Sequence, residues 1–141
     1  MSDPLAGLPR VTYANAAADF SALHAVLDRE LPAFSARALG LDHANLVGDG
    51  SDTGGRRYAV PCPIDARLAL GTLVAADAAA VDRAVAAARA AAPGWRATPW
   101  RERVALLRRA ADAIRRERLA LAMAALLEVG KSRLEAMGEV E

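Results

Sequence analysis

The sequence of 141 residues contains one cysteine, two histidines and six aromatic residues. One cysteine excludes a disulfide framework, and two distant histidines give no recognisable zinc motif. A formal net charge of +1 provides no overall field that would draw the chain onto nucleic acid or an acidic membrane surface. No apolar run reaches the ~18 residues of a membrane span, and the first residues lack the layout of a signal peptide. These absences favour a protein of the reducing cytoplasm.

The hydrophobic fraction is 54%, but alanine supplies nearly half of it. Alanine buries little surface and is the best helix former, so the composition favours helices with a modest core. The length is that of one domain and is short for a two-domain enzyme.

The first 55 residues are divided into two segments. Residues 1–18 are polar, small and proline-bearing, which predicts a flexible, loosely held arm. Residues 19–55 are expected to form one helix and a turn-rich connection. Asp19 is a candidate N-cap, and Pro32 should end or kink the helix. The apolar positions at helical spacing are Phe20, Leu23, Leu27 and Leu31.

Residues 56–76 are predicted to form a β-hairpin. Residues 57–60 and 68–74 have strand character and flank a turn that contains Pro61, Cys62 and Pro63. The two prolines cannot donate ladder hydrogen bonds, which places the loop there.

Residues 77–141 read as a helical segment. Asp77 is a good cap for the first helix, Pro93 and Gly94 should terminate it, and Thr98 with Pro99 should open the next. Ser132 and Glu135 have capping-box spacing. The predicted helices are Asp77–Ala92, Pro99–Arg118, Leu119–Val129 and one from Ser132 that looks cut within its length.

An apolar stripe on the second of these helices is expected to pack against the helix before it. The connection between the first two helices is short, so we expect them to be antiparallel neighbours. The stripe consists of Val104, Leu107, Ala111 and Ile114, and it is predicted to pack on Val81, Val85 and Ala88. The expected fold is therefore mainly α with one short hairpin and no parallel sheet.

Gly130-Lys131-Ser132 resembles the end of a phosphate-binding loop. A P-loop requires a glycine where this chain has Ala125, and it requires a preceding strand where this chain has a helical pattern. Gly130 is therefore interpreted as a helix C-cap.

Other candidate chemical groups lack partners. Cys62 has no neighbouring histidine or basic cluster that would activate its thiol, so it is interpreted as a loop thiol. His24 is expected on a helix surface, and His43 lies in the turn-rich connection. The C-terminal carboxylates have no partner nucleophile and are interpreted as solvated: Glu128, Glu135, Glu139 and Glu141. No catalytic, cofactor-binding or metal-binding residue is predicted.

The arginine-rich segment Arg96–Arg118 could in principle track a phosphate backbone. Glu102, Asp112 and Glu117 interrupt it, and intrahelical ion pairs account for this pattern. We therefore expect neither a nucleic-acid partner nor a membrane partner.

An ordered series of motifs runs through the second half of the chain: PIDARLALGTL at Pro63–Leu73, the helical pattern of Val81–Arg118, and EVGK at Glu128–Lys131 within Leu121–Glu141. This series resembles the amino-terminal segment of the aldehyde dehydrogenase superfamily, most nearly the branch that oxidises glutamate semialdehyde, the open form of pyrroline-5-carboxylate. Residues 11–48 add a weaker likeness to the leader of that branch. Ser132, where many relatives have proline, and Cys62 depart from the pattern.

The resemblance implies NAD- or NADP-dependent oxidation of an aldehyde to a carboxylic acid by the full-length relatives, in the context of proline catabolism. It implies that this chain is the helical part beside a Rossmann-like domain. The family's nucleophilic cysteine, general base and cofactor-binding units are expected after Glu141. The isolated chain is therefore expected to bind no cofactor and to be inactive.

A second interpretation stays open. The chain can also be interpreted as a non-enzymatic helical module, or a truncated gene product, that binds partners through uncovered apolar helix faces. Its partner would be a second copy of the chain or the remainder of the enzyme.

Overall fold

The computed structural model describes residues 3–141, and helices dominate them. A single 3₁₀ turn at Tyr13–Asn15 precedes the first long helix. The α-helices are α1 (Ser21–Ala38), α2 (Ala78–Ala97), α3 (Trp100–Arg116), α4 (Arg118–Val129) and α5 (Arg133–Val140). None of the helices within this part of the chain is long and apolar enough to cross a membrane.

Five short strands lie between α1 and α2. They are β1 (Leu41–Asp42), β2 (Asn45–Val47), β3 (Gly50–Asp52), β4 (Arg56–Pro61) and β5 (Ala69–Ala75). The predicted hairpin is confirmed, since β4 and β5 pair antiparallel from Arg56 opposite Ala75. β2 and β3 form a second, smaller hairpin.

The turn-rich connection contains strands that the sequence did not predict. β1 pairs with β5 in parallel, with Leu41 opposite Gly71, so the sheet order is β1-β5-β4 and the expectation of no parallel pairing is wrong. The pairing is long-range and only two residues long, so local patterns carry no sign of it. It requires Gly71, because a Cβ there would lie 2.6 Å from the Leu41 carbonyl oxygen.

Two prolines lie inside helices: Pro32, which was predicted to end or kink its helix, and Pro93, which was predicted to end its helix. α1 begins at Ser21 and runs through Pro32 to Ala38, because Leu27 and Phe34 on either side of the proline are both buried. The prediction that Asp19 is the N-cap is wrong, because Phe20 occupies that position without a side-chain cap; the Asp19 carboxylate accepts a hydrogen bond from the Ser21 N–H, at 2.8 Å. Burial of the apolar face outweighs the one backbone bond that proline removes.

α2 likewise continues through Pro93 to Ala97. Its last turn is closed by Thr98, whose backbone N–H and hydroxyl both donate to the Gly94 carbonyl oxygen. Thr98 therefore closes α2 and does not cap α3, which begins after Pro99. The prediction for these two residues is corrected in this respect.

The other three caps are confirmed. Asp77 accepts a hydrogen bond from the Ala80 N–H at 2.7 Å. Gly130 ends α4 with φ +73°, the left-handed conformation that glycine adopts without a Cβ penalty. Ser132 and Glu135 form a reciprocal capping box at the start of α5.

The core lies between α1, α4 and α5 and includes residues that were expected to be loosely held. Leu5 and Val11 are buried within it, so the segment that was predicted to be loosely held contributes two side chains to the core. The first two residues of that predicted arm lie outside the described part of the chain. The other buried members include Leu23, Leu27, Phe34, Cys62, Met123, Leu127 and Met137.

The predicted packing of α3 on α2 is wrong. α3 has no buried residue, and Leu107 and Ile114 are 62% and 50% exposed. Val81 and Val85 of α2 are also exposed. The stripe has the periodicity of a buried face, but nothing in residues 3–141 covers it.

Candidate functional site

The joint between α4 and α5 packs on the loop of the β4–β5 hairpin. Gly130 has a positive φ that favours glycine, and a Cβ added there would make a tight contact of 3.3 Å with Cγ of Pro63. The hairpin loop and the EVGK motif are therefore one structural unit, although more than sixty residues separate them.

Cys62 lies at the centre of this unit. Its thiol is 2% exposed and donates a hydrogen bond to the Leu127 carbonyl oxygen at 3.0 Å. A nucleophile must reach its substrate, and this sulfur is covered on all sides by the core. The position of Cys62 in the hairpin loop agrees with the prediction, and its sulfur is buried.

The Gly130-Lys131-Ser132 segment makes no phosphate cradle. Lys131 forms an ion pair with Glu139. The Ser132 hydroxyl accepts a bond from the Glu135 N–H, and the Glu135 carboxylate accepts one from the Ser132 N–H. The bonds from Ser132 hold the pKa of Glu135 below its ordinary value. These hydrogen bonds and this ion pair stabilise the start of α5.

The two histidines lie in separate parts of the structure. His24 is half-buried on α1, and its Nδ1 lacks a hydrogen-bond partner among the described residues. Arg133 bridges to the same helix through Asp28, at 2.5 Å, and this bond holds the pKa of the Asp28 carboxyl below its usual range.

His43 borders an apolar crevice beside the sheet. This cavity of about 320 Å³ lies between α1, β5 and α4, and Glu128 is at its edge. Its walls are otherwise apolar, formed mainly by Phe34, Leu39, Leu70 and Leu127. No local sequence pattern indicates it, because its walls come from three distant segments.

An ion-pair network joins the two ends of the described chain. Arg10 bonds to Glu141 at 2.5 Å, and Arg118 bonds to Asp3 at 2.8 Å. The Glu141 carboxylate also lies 3.8 Å from Arg118. The hydrogen bonds from the Leu5 N–H and from Arg118 lower the pKa of Asp3. The network links Asp3 and Arg10 to Arg118 and Glu141, beside the buried Leu5.

The arginine-rich segment lies mostly on α3 and is largely solvated. Arg115 pairs with Asp112 at 2.6 Å, as intrahelical pairing predicts. The Arg101 guanidinium lies over the Trp100 ring, 4.7 Å from its centroid. Within residues 3–141 no three His, Cys, Asp or Glu side chains are grouped as a metal site would require.

The family of the chain follows from comparison with known proteins. The aldehyde dehydrogenase family model matches residues 51–141, well over half of the chain. The chain belongs to the aldehyde dehydrogenase family. The match begins in β3 and includes the hairpin, the joint and all of α2 to α5, which together carry the motifs described above.

Curated relatives agree with this assignment. The chain is 40% identical over 83 residues to a probable aldehyde dehydrogenase of Mycobacterium tuberculosis, and equally to one of Mycobacterium bovis. Each match covers 59% of this chain and 16% of the relative. The matched 83 residues thus span about a sixth of the length of these aldehyde dehydrogenases.

Solved structures of pyrroline-5-carboxylate dehydrogenases share the fold of the chain. A mutant of the Thermus thermophilus 1-pyrroline-5-carboxylate dehydrogenase has a TM-score of 0.80 and 26% identity over 99% of this chain and 26% of that one. The Mycobacterium tuberculosis Delta-pyrroline-5-carboxylate dehydrogenase, bound with NAD and cobalamin, has a TM-score of 0.74 and 33% identity over 85% and 23%. The resemblance to an amino-terminal segment of this superfamily is confirmed.

Proposed function

We propose that this chain is the amino-terminal portion of an NAD-dependent dehydrogenase that oxidises glutamate semialdehyde to a carboxylic acid. The observation that carries the proposal is the likeness to the Mycobacterium tuberculosis Delta-pyrroline-5-carboxylate dehydrogenase. Its identity of 33% extends over 85% of the chain, at a TM-score of 0.74. The same relation recurs with the NAD-bound enzyme from Thermus, at a TM-score of 0.79.

The described residues do not themselves fit a dinucleotide. Such a cofactor needs a glycine-rich turn between a parallel strand and a helix, with free backbone N–H groups facing the pyrophosphate. Here the parallel pairing is two residues long, and the groups around Gly130 are bonded to one another. In the proposed enzyme, bound NAD would supply the hydride acceptor, and the residues that hold it would lie outside the residues described above.

The role of this portion is to supply a scaffold. The hairpin β4–β5 and the helices α4 and α5 are locked together at Cys62 and Gly130, and this unit presents α2 and α3 outward. The isolated chain is expected to be inactive, because it holds neither an accessible thiol nor a dinucleotide fold.

Two protein preparations test the proposal. One is the purified chain, and the other is a chimaera in which residues 1–141 replace the matching segment of the Mycobacterium tuberculosis enzyme. With NAD and pyrroline-5-carboxylate, NADH absorbance should rise only with the chimaera. Turnover by the isolated chain that Cys62→Ser abolishes would overturn the assignment of inactivity, and a folded but inactive chimaera would count against the proposed enzyme.

A non-enzymatic partner-binding module is the second candidate. The exposed apolar stripe of α3 favours it, since such a face in water is unusual for a complete monomer. A stable, monomeric isolated chain that captures an unrelated protein through α3, together with an inactive chimaera, would support this alternative.

A further inference from the structure

The apolar crevice between α1, β5 and α4 has the size of a small-molecule site. Its volume is about 320 Å³, at the lower end of the range of about 300–1,000 Å³ that ligand pockets occupy. Phe34, Leu70 and Leu127 of its walls are buried members of the core, so the fold itself holds these walls in place. The crevice is therefore suited to a ligand with a short apolar body.

Two polar side chains form the mouth of the crevice. His43 and Glu128 are exposed, whereas the other lining residues are buried or half-buried. The imidazole of His43 lies against β5, because a Cβ added at Gly71 would be 3.2 Å from its Nε2. Gly71 thus admits this ring as well as the backbone of β1. An apolar interior with a polar mouth fits an amphipathic ligand.

The mouth carries a negative charge that the described structure leaves uncompensated. Within residues 3–141, Glu128 is the one charged residue of the lining, and it forms no ion pair. The next two basic residues along the chain are engaged elsewhere. Lys131 pairs with Glu139, and Arg133 pairs with Asp28.

The end of α4 adds to the negative potential at the mouth. The carboxyl end of a helix has a partial negative charge, which favours cations and disfavours carboxylates in the last turn. α4 nevertheless has Glu128 in its last turn, and that turn contains no basic residue. The helix end and the Glu128 carboxylate therefore both favour a cation at this position.

We propose that the crevice is a binding site for a small amphipathic cation, a primary amine with a short apolar body. The apolar body lies against Phe34, Leu70 and Leu127, and the ammonium group meets the Glu128 carboxylate at the mouth. The neutral imidazole of His43 can accept a further hydrogen bond from the ammonium. An anion would instead be repelled by Glu128 and by the helix end. The site goes beyond the proposed function, since it requires neither NAD nor an aldehyde.

The test titrates the 141-residue chain with hexylamine, hexan-1-ol and hexanoate at neutral pH. The three probes have similar apolar bodies and differ in the charge of the head group. Amide chemical shifts in ¹H–¹⁵N NMR spectra locate each probe and give its dissociation constant. We expect hexylammonium to shift the amides of Gly71, Leu127 and Glu128. It should bind about tenfold more tightly than hexan-1-ol, because an exposed ion pair and a helix terminus each contribute a factor of about 2 to 5. Hexanoate should bind most weakly.

Three variants test the residues of the site. Glu128→Gln removes the charge at the mouth, and Glu102→Gln makes the same change on α3, outside the crevice. The first should weaken hexylammonium binding several-fold and leave hexan-1-ol binding unchanged, and the second should alter neither. Ala124→Leu places a larger side chain in the wall and should weaken the binding of both probes at least several-fold. Thermal melts by circular dichroism verify that the variants are folded.

Three results would overturn the inference. The first is equal affinity of the wild-type chain for hexylammonium and hexan-1-ol. The second is hexylammonium binding that Glu128→Gln and Glu102→Gln change to the same extent. The third is a set of shifts confined to residues outside the crevice, or undiminished binding to folded Ala124→Leu, which would place the probe elsewhere. If Ala124→Leu does not fold, the comparison of the two glutamine variants decides.

Discussion

The Cys62 thiol donates a hydrogen bond to the backbone carbonyl of Leu127, with 3.0 Å between sulfur and oxygen. Leu127 lies in the last turn of α4, where carbonyl groups have no partner within the helix. The Gly130 N–H serves the neighbouring Leu126 carbonyl. The thiol therefore completes the hydrogen bonding of the helix end from a loop sixty-five residues earlier in the chain.

Replacing Cys62 tests this bond. Cys62→Ala leaves a buried carbonyl without its donor, and we expect a loss of about 1–3 kcal/mol in the free energy of unfolding. Cys62→Ser, which keeps a donor, should lose less. Urea unfolding followed by circular dichroism gives both values, and an alanine variant as stable as the serine variant would contradict a role for the bond.

Thiol accessibility gives an independent prediction for the same residue. Because the sulfur is buried, native protein should react with a thiol reagent far more slowly than protein in denaturant. The measurement is the labelling rate with and without urea. Equal rates would mean that the loop opens freely in the native state.

Alanine substitutions at Leu127 and Leu107 compare the contribution of a buried leucine of the core with that of an exposed leucine of α3. Leu127→Ala removes methylenes from the core and should cost about 2–5 kcal/mol. Leu107→Ala acts on an exposed side chain, and its effect on the isolated chain should lie within about 0.5 kcal/mol. Thermal melts of the two variants compare them directly. Equal destabilisation would mean that α3 is covered in the isolated chain.

Gly130→Ala should destabilise the joint between α4 and α5. The substitution forces an alanine to φ +73°, which costs about 1–2 kcal/mol, and its Cβ approaches Pro63. Gly94→Ala is the control, because Gly94 has no positive φ and a Cβ there meets no atom within 4 Å. That variant should be neutral or stabilising, and chemical denaturation of both variants measures the difference.

Acid should weaken the fold through its paired aspartates. The hydrogen bond from Arg133 lowers the pKa of Asp28, and that from Arg83 lowers the pKa of Asp52, both from 3.8. A carboxyl with a depressed pKa in the folded state contributes stability that is fully present above its unfolded pKa. This contribution is lost as pH falls through the folded value.

The melting temperature should therefore fall as pH drops below about 4, since protonation removes these bonds. Asp28→Asn should make the melting temperature depend less steeply on pH. Asp49→Asn is the control, because it leaves the Asp28–Arg133 pair intact. A melting temperature that is constant from neutral pH into this acid range would contradict the assignment.

The sequence predicted features whose causes are local. The caps at Asp77 and Gly130 and the capping box at Ser132 depend on residues within one turn of a helix end. The β4–β5 hairpin depends on a proline-bearing turn between two short strand patterns. Each could be read from a few neighbouring residues.

The errors arose where distant contacts decide the structure. Pro32 was predicted to end or kink α1, but burial of Phe34 after it keeps the helix running to Ala38. The β1 strand exists because Gly71, thirty residues later, admits its backbone. The stripe at Leu107 predicts an apolar partner, but periodicity contains no information on whether that partner belongs to the same chain.

The candidate joint was predicted in part. The sequence placed Gly130 as a C-cap and Cys62 in a loop, and both positions are confirmed. That the two lie against one another was not predicted, because a single sequence gives no contact between segments so far apart. The arginines of α2 and α3 could be counted in the sequence, but the exposure of the apolar side chains of α3 could not be predicted from it.

The contacts between the first and last described residues bear on how the chain folds during synthesis. Arg10 and its partner Glu141 are separated by 131 positions, and Leu5 and Val11 pack in the same core as Met137. At 5–20 residues per second, ribosomes take roughly 7–26 s to cover that distance. The amino-terminal segment therefore leaves the ribosome long before its binding site on α4 and α5 exists, and it is among the last parts of this core to settle.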